Sequence, residues 1–370
     1  MNIELIELVE VRLPLVRPFR TSCSADTERH TFLLHVVTDA AEGWAEFGGD
    51  PEPLYSPEFA AGAERVLLDH LVPRVTALPR PGAARIAAAM APVKGNPMAK
   101  ALLETAILDA ECRAHAMPLG TYLGAVRDRV AAGVSVGITD TIPELLDTIS
   151  GYLAEGYVRI KLKIEPGWDL EPVGAARREF GDGLALQVDA NTAYSLTDAE
   201  HLRRLDEFGL VQIEQPLAED DVAGHVELAK LLRTPICLDE SIRSARDAAA
   251  AIRLGACRIV NIKPSRVGGY LEARRIHDVC VAHGIPVWCG GMLETGIGRA
   301  QNLALAALPG FVLPNDISAS SRYYAEDLTE AFELADGCLS VPDGPGSGVT
   351  VLPAALRRHS VATRKLYQKR

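Results

Sequence analysis

Three acidic residues recur at an even spacing in the middle of the 370-residue chain. Asp189, Glu214 and Asp239 each follow a short apolar run, and successive acids lie 25 residues apart. A strand, its following helix and two loops need about that length of chain. In a barrel of such units the three carboxylates would lie side by side at one mouth and repel one another. A divalent cation removes the repulsion, and an all-oxygen donor set suits Mg²⁺ or Mn²⁺ better than zinc.

Three lysines lie on the predicted units at either side of these acids. Lys161 and Lys163 alternate around Leu162 in an apolar run, and Lys263 ends a later run. Residues two apart on a strand point to the same face, so Lys161 and Lys163 should enter the cavity that holds the acids. Lys163 and Lys263 then flank the cation from opposite sides. Burial and the positive charges of the cation and Lys161 should lower the pKa of a basic lysine towards about 7–8.

These residue types suit the removal of a proton from carbon. When a substrate carboxylate binds the cation, its α-proton becomes more acidic, because the cation and Lys161 stabilise the enolate that forms on deprotonation. A lysine base on each face allows a proton to leave from one side and return to the other. The residues therefore predict a metal-dependent enzyme for a small-molecule carboxylate, with racemisation as an accessible reaction.

The elements that must position these residues form a regular series from about Val130 onward. Short apolar runs alternate with helix-like stretches, and the residues that end successive runs lie 24 to 28 positions apart. Eight such units close a (β/α) barrel, whose active site lies at the C-terminal ends of its strands. We therefore predict an α/β barrel over residues 126–324. The runs are 133–138, 158–164, 184–191, 210–216, 234–241, 257–264, 285–291 and 311–318.

Residues 1–125 have a different pattern and predict a small α+β domain. Strand-like runs at 3–13, 31–38 and 43–47 predict three antiparallel strands. The clearest helix should begin at Asn96 and Pro97, as N-cap and first helical residue, and end before Pro118. Residues from about 325 to 370 are expected to return to this domain and complete it.

The composition excludes several classes of protein. Hydrophobic residues make up 48% of the chain and the formal net charge is −11, with no polybasic stretch, so neither nucleic acid nor a membrane is an expected partner. No apolar run approaches the roughly 20 residues of a membrane helix, and the N-terminal segment lacks the continuous apolar core of a signal peptide. Seven widely spaced cysteines without a C-x-x-C pattern predict reduced thiols, no zinc site and a cytoplasmic location.

Six motifs surround the residues discussed above: KLKIEPGWD (161–169), QVDANTAY (187–194), IEQPL (213–217), CLDES (237–241), NIKPSRVGGYLEA (261–273) and CGGMLETGIGRA (289–300). Together they resemble the enolase superfamily, in its muconate-lactonising subgroup. They look most like the o-succinylbenzoate synthase / N-succinylamino acid racemase (N-acylamino acid racemase) family. The likeness extends over essentially the whole chain, including PFRTS at 18–22 and PLYS at 53–56.

The resemblance implies a (β/α)₇β barrel closed by the α+β capping domain, Mg²⁺ or Mn²⁺ as cofactor, and a homo-oligomer, either dimer or octamer. In this family's pattern the three acids match the metal ligands, Lys163 and Lys263 the acid/base pair, and Lys161 the enolate-stabilising lysine. Glu240 resembles a supporting group, and the polar cap segment 23–30 looks individual to this chain. Substrate-binding positions are implied at Phe19, Tyr55, Ser135, Asn191, Gly291, Met292 and Leu293.

Several alternatives remain open within this superfamily. Racemisation of N-acyl amino acids and o-succinylbenzoate synthesis share an enolate and cannot be separated by sequence, and muconate cycloisomerases share the lysines and metal ligands. Dipeptide epimerases carry Asp-x-Asp on the eighth strand, where this chain has Asp316-Ile317-Ser318. Sugar-acid dehydratases use a seventh-strand histidine, whereas His283 precedes that run. A non-catalytic binding protein would not need all these ligands and lysines.

Overall fold

The computed structural model describes residues 1–21 and 25–369, so Cys23 and the start of the segment 23–30 lie outside the described residues. Its strands are β1 (Ile3–Arg20), β2 (Ala25–Thr38), β3 (Glu42–Glu46), β4 (Arg129–Ala131), β5 (Gly133–Val136), β6 (Arg159–Lys163), β7 (Leu186–Asp189), β8 (Ile213–Glu214), β9 (Ile236–Leu238), β10 (Ile259–Ile262), β11 (Val287–Cys289), β12 (Cys338–Ser340) and β13 (Ser360–Gln368). Its α-helices are α1 (Ala60–Val66), α2 (Val72–Thr76), α3 (Ala83–Met90), α4 (Pro97–Ala114), α5 (Leu119–Leu123), α6 (Ile142–Glu155), α7 (Leu170–Phe180), α8 (Ala199–Leu202), α9 (Val222–Leu231), α10 (Ala245–Leu254), α11 (Pro264–Val267), α12 (Tyr270–Ala282), α13 (Gly296–Ala306) and α14 (Pro353–His359).

An antiparallel sheet in the order β13-β1-β2-β3 forms the capping part of the molecule. Val9 of β1 lies opposite Leu33 of β2 on one side and Thr363 of β13 on the other. One face of this sheet packs its apolar side chains against helices α1 to α4. The strand-like runs 3–13 and 31–38 fall within β1 and β2, and the run 43–47 matches β3 except for its last residue, Phe47. β13 is a fourth strand that the sequence pattern did not identify.

A parallel sheet in the order β11-β10-β9-β8-β7-β6-β5 forms most of a barrel. The eighth run closes the ring through two isolated bridges, from Phe311 to Val287 and from Asn315 to Ala132. The segment 311–318 thus occupies the predicted place in the ring but does not form a continuous strand, because Pro314 has no N–H to donate to a ladder. The predicted fold class, an α/β barrel with an α+β cap, is confirmed.

Helix α4 lies between the two parts, in contact with β3 of the cap and α11 of the barrel, and is buried on almost every side. It begins at Pro97 as predicted. Asn96 occupies the N-cap position as predicted, but its φ is 55° and its side chain makes no capping hydrogen bond. The carboxylate of Glu58 accepts hydrogen bonds from the N–H groups of Met98 and Ala99 instead, at 2.8 and 3.1 Å.

Two buried carboxylates of the cap bind the N-termini of barrel helices. Glu46 Oε2 accepts hydrogen bonds from the N–H and the hydroxyl of Thr295, at 2.9 and 2.7 Å, where α13 begins. Glu104 accepts hydrogen bonds from the N–H groups of Tyr270 and Leu271, at 2.8 and 3.2 Å, where α12 begins. A carboxylate near a helix N-terminus satisfies free N–H groups and interacts well with the helix dipole. These contacts fix the cap on the barrel.

The Glu46 contact predicts that stability depends on pH. Burial, opposed by Arg29 and by the hydrogen bonds of Thr295, raises the pKa of Glu46 from 4.5 to about 7. The folded protein therefore binds the proton more tightly than the unfolded chain, and this contribution to the free energy of unfolding is lost as pH rises from 4.5 through 7. The loss amounts to at most about 3 kcal/mol. Chemical denaturation measures the free energy of unfolding at about pH 5 and at about pH 8. The decrease in this free energy between the two pH values should be smaller for Glu46→Gln than for the wild type.

The control for this experiment is Glu4→Gln, which changes an exposed glutamate on the same sheet. This variant should keep the pH dependence of the wild type. Equal pH dependence of the wild type and Glu46→Gln would show that Glu46 does not carry the effect.

The described helices include none that is long and apolar enough to cross a membrane. Within the same residues the cysteines are free thiols, as the sequence predicts: Cys112, Cys237, Cys257, Cys280 and Cys289 are buried and Cys338 is partly exposed.

Candidate active site

The predicted lysines and acids lie at the C-terminal ends of neighbouring barrel strands. Lys161 and Lys163 are on β6, Asp189 ends β7 and Glu214 ends β8. Parallel pairing aligns these ends, since Lys163 lies opposite Asp189 and Asp189 opposite Glu214. The even spacing in the sequence thus corresponds to adjacent positions in the sheet.

Asp239 and Lys263 continue the series, because they directly follow β9 and β10. The strands β6 and β10 are four positions apart in a ring of eight segments. Lys163 and Lys263 therefore enter the barrel mouth from opposite sides. All six side chains are buried.

Ammonium groups lie between the carboxylates on one side of this cluster. Lys163 Nζ lies 2.6 Å from Asp189 Oδ2. Lys161 Nζ lies 3.0 Å from Glu214 Oε2 and 3.2 Å from Asp189 Oδ2. Since each carboxylate has a cation beside it, the repulsion expected from the sequence is offset within the chain.

Asp239 contacts two cations on the other side of the cluster. Arg266 donates a hydrogen bond to Oδ1, and Lys263 Nζ lies 2.9 Å from Oδ2. Oδ2 is nevertheless buried without a hydrogen bond of good geometry. Lys263 donates instead to the hydroxyl of Tyr55 at 2.9 Å, with its ammonium 4.8 Å from the centre of that ring.

Four further polar residues at the cluster were not among the residues assigned from the sequence. Asp316 lies between two cations, 2.5 Å from Lys161 Nζ and 2.7 Å from Arg159 Nη2. Asn261 donates a hydrogen bond to Glu214 at 2.7 Å. The fourth residue is Arg266, which donates a hydrogen bond to Asp239. Arg159 and Asn261 stand two residues before an assigned lysine, so the alternation of strand side chains could have identified them.

Two opposing effects act on the pKa of Lys161 and on the pKa of Lys263: burial lowers each pKa, and nearby acidic or phenolic groups raise it. Burial alone would lower the pKa of Lys161, but Asp316 and the other carboxylates outweigh it and raise that pKa. Burial likewise acts to lower the pKa of Lys263, and Tyr55 and Glu240 raise it above the usual range. For Lys263 these groups outweigh burial. The lowering expected beside a bound cation stays a prediction, because no divalent cation contributes to this arrangement of charges.

The three acids fit a hard divalent cation by their chemistry. Burial raises the pKa of Glu214 and the nearby Asp189 raises it further, although Lys161 and Lys163 oppose this, so additional positive charge would favour the ionised carboxylate. Asp239 Oδ2 is a buried oxygen without a hydrogen bond. The described residues, however, contain no three His, Cys, Asp or Glu side chains already arranged around one point that could hold a metal. A cation would compete with the lysine ammonium groups for the same oxygens, and the three metal ligands stay a prediction.

A pocket that is partly open to solvent lies above this cluster. The structure brings all seven predicted substrate-binding residues into its wall, although their contact with a substrate stays a prediction. They are Phe19, Tyr55, Ser135, Asn191, Gly291, Met292 and Leu293. The three lysines also reach the pocket, together with Asp316 and Tyr323. Cap and barrel residues therefore surround one cavity.

Asn191 lies between Lys163 and Glu240 and forms a hydrogen bond with each of them. Its Oδ1 accepts a hydrogen bond from Lys163 Nζ at 2.6 Å, and its Nδ2 donates to Glu240 Oε1 at 3.0 Å. The backbone of Asn191 has a φ of 41°, a conformation that asparagine tolerates better than most residues. Asn191 and Glu240 thus orient Lys163.

The fold and these strand ends define a barrel enzyme with lysines on two sides of an acidic cluster. Residues 144–355 match the family described as "Enolase C-terminal domain-like". The chain is 60% identical to N-succinylamino acid racemase from an Amycolatopsis species, over 99% of both chains. It is 45% identical to o-succinylbenzoate synthase from Geobacillus kaustophilus, over 97% of this chain and 96% of that one. A solved enolase-superfamily member from Listeria innocua matches with a TM-score of 0.95 at 38% identity, over 100% of both chains.

The chain belongs to the enolase superfamily, in the family of enzymes that contains these racemases and synthases. Its likeness to them covers the cap as well as the barrel, because the matched segments span almost the whole chain. The resemblance seen in the motifs is therefore confirmed.

Proposed function

We propose that this enzyme racemises N-acyl amino acids, with N-succinyl derivatives preferred, by moving the α-proton through an enolate. The observation that carries the proposal is the placement of Lys163 and Lys263 on opposite sides of the barrel mouth, in the wall of one pocket above the acidic cluster. The most similar relative described above is named as a racemase of this kind. One lysine must be neutral and the other charged at the start of each turnover, so that one accepts and the other donates a proton.

The residues of the chain have distinct parts in the proposed reaction. A divalent cation held by Asp189, Glu214 and Asp239 would supply the positive charge that acidifies the α-proton of a bound carboxylate. Lys161 stays charged, which its raised pKa favours, and stabilises the oxygens of the enolate. Lys163 and Lys263 exchange the roles of base and acid between the two enantiomers.

A second reaction, o-succinylbenzoate synthesis, is supported by the synthases among the relatives. It needs the same enolate stabilisation and at least one of the same lysines, so the site is compatible with both activities. Incubation with N-succinyl-phenylglycine and with the synthase substrate in D₂O tests both. Deuterium at the α-carbon with loss of optical activity indicates racemisation, whereas product formation from the synthase substrate indicates synthesis.

The pocket predicts which amino acid derivatives are accepted. Lys161, Lys163 and Lys263 line it. The carboxylates in its wall, Asp26, Asp50 and Asp316, already have partners, so a substrate with a free ammonium group would add one more positive charge. The eighth segment offers the buried hydroxyl of Ser318 where dipeptide epimerases have a second acid. N-succinyl-phenylalanine should therefore exceed free phenylalanine and Ala-Glu in kcat/KM by at least about 100-fold, since a buried unpaired charge costs several kcal/mol. Polarimetry measures the three rates.

A matched variant sharpens this comparison. Ser318→Asp adds a carboxylate at the eighth segment, so it should lower the ratio of acylated to dipeptide activity. If Ala-Glu is the better substrate of the wild type, the protein belongs among the epimerases and the proposed acyl preference is wrong.

A further inference from the structure

Arg322 is a buried arginine directly behind the wall of the active-site pocket. It ends a short 3₁₀ turn, Ser320–Arg322, that follows the eighth barrel segment, and only 8% of the residue is exposed. Its Nη2 donates a hydrogen bond to the carbonyl oxygen of Ser135 at 3.0 Å. Its Nε is buried without a hydrogen bond, and the ion pairs of the described residues include none to this guanidinium. A buried cation without a carboxylate needs other compensation.

Aromatic rings supply that compensation on three sides. The guanidinium carbon lies 4.8 Å from the ring centre of Tyr323, 4.9 Å from that of Tyr152 and 5.7 Å from that of Phe19. Phe19 and Tyr323 also meet edge to face, with their centres 6.3 Å apart. Cations are stabilised over the faces of aromatic rings at such distances, and most strongly where water is excluded.

The residues that Arg322 holds come from different parts of the molecule. Phe19 is on β1 of the cap, Ser135 is on β5 at the barrel mouth, and Tyr152 is on α6. Phe19, Ser135 and Tyr323 line the pocket, whereas Arg322 stands behind them and does not. One side chain therefore connects the cap strand to the barrel at the wall where the substrate is expected.

We propose that Arg322 is a positioning residue that holds Phe19 against the barrel and thereby sets the affinity for substrate. The proposal rests on the proposed function for the identity of that substrate. Arginine suits the position because its planar group can donate to a carbonyl at the edge while its faces contact aromatic rings. A lysine has the charge without this geometry, so Arg322→Lys should not restore the contact.

The first test separates KM from kcat in Arg322→Met and Arg322→Lys. The KM for N-succinyl-phenylalanine should rise about tenfold in both variants, with kcat changed less than about threefold, because the lysines and acids stay in place. The matched control is Arg177→Met, which removes another buried arginine. Arg177 donates to carbonyl oxygens of loops at the opposite end of the barrel. The control should lower thermal stability without moving KM.

A double-mutant cycle tests whether Arg322 acts through Phe19. In the background of Phe19→Ala, the change Arg322→Met should raise KM by less than about threefold further, because the contact is already lost. Fully additive effects of the two changes would overturn the proposal. A fall in kcat as large as the rise in KM would also overturn it, since Arg322 would then affect the reacting groups.

Hydrogen exchange gives a readout that needs no substrate. The peptide that contains Phe19 should exchange its amide protons faster in Arg322→Met than in the wild type, and at the wild-type rate in Arg177→Met. Unchanged exchange at Phe19 would overturn the inference even if KM rises. If the wild type racemises no N-succinyl amino acid, the proposed function fails, while the exchange experiment still decides the role of Arg322.

Discussion

Alanine at Lys163 or at Lys263 should reduce racemisation of both enantiomers by at least about 10³-fold. Removal of a general acid or base costs typically 10²–10⁴ in rate, and racemisation needs both lysines in each direction, one to accept and one to donate a proton. The two ammonium groups belong to strands four positions apart in the ring, so neither lysine can reach across to replace the other. Chiral chromatography of the products measures the loss.

The two variants should differ in exchange of the α-proton with D₂O. Each retains a base on one face, so each should exchange the proton of one enantiomer and leave the other unlabelled. Lys161→Ala is the matched comparison, because Lys161 interacts with the enolate and not with one face of the substrate. This variant should lose exchange of both enantiomers to a similar extent. Equal labelling of both enantiomers by Lys163→Ala and by Lys263→Ala would contradict the arrangement of two bases.

The sequence predicted the acidic cluster because its spacing is a property of the fold. Each unit of a parallel barrel adds one strand, so residues about 25 positions apart become neighbours, as Asp189 and Glu214 do in the sheet. Alternation within a strand places Lys161 and Lys163 on the same side by local geometry alone. These assignments needed no knowledge of distant contacts.

Other features depend on contacts between distant segments and could not be inferred in that way. Asp316 meets Arg159, which is on the second barrel strand β6, because the eighth segment closes the ring between β11 and the first barrel strand β5. β13 pairs with β1 across nearly the whole length of the chain. Glu58 reaches the start of α4 from a preceding loop, although Asn96 had the better local pattern for a cap. In each of these three cases the two interacting segments meet only because the whole molecule is packed, so a local sequence pattern does not reveal the contact.

The acids of the cluster predict that a divalent cation is required. Dialysis against EDTA should reduce turnover by at least about 10³-fold, and Mg²⁺ or Mn²⁺ should restore it, because the lysines alone would have to stabilise the enolate. Asp239→Asn should weaken binding of Mn²⁺, measured by calorimetry, by at least about tenfold. The variant removes one negative charge from a buried oxygen set, where electrostatic interactions are stronger than in water.

Asp206→Asn provides the control for this metal experiment. Asp206 accepts hydrogen bonds from Arg233 and Thr234 at the opposite end of the barrel, before β9, and so holds a loop. Its loss should reduce stability and leave the affinity for Mn²⁺ unchanged. Full activity in protein shown to be free of metal would exclude the cation from the reaction. Lys161 and its neighbours would then have to supply all the positive charge that the enolate requires.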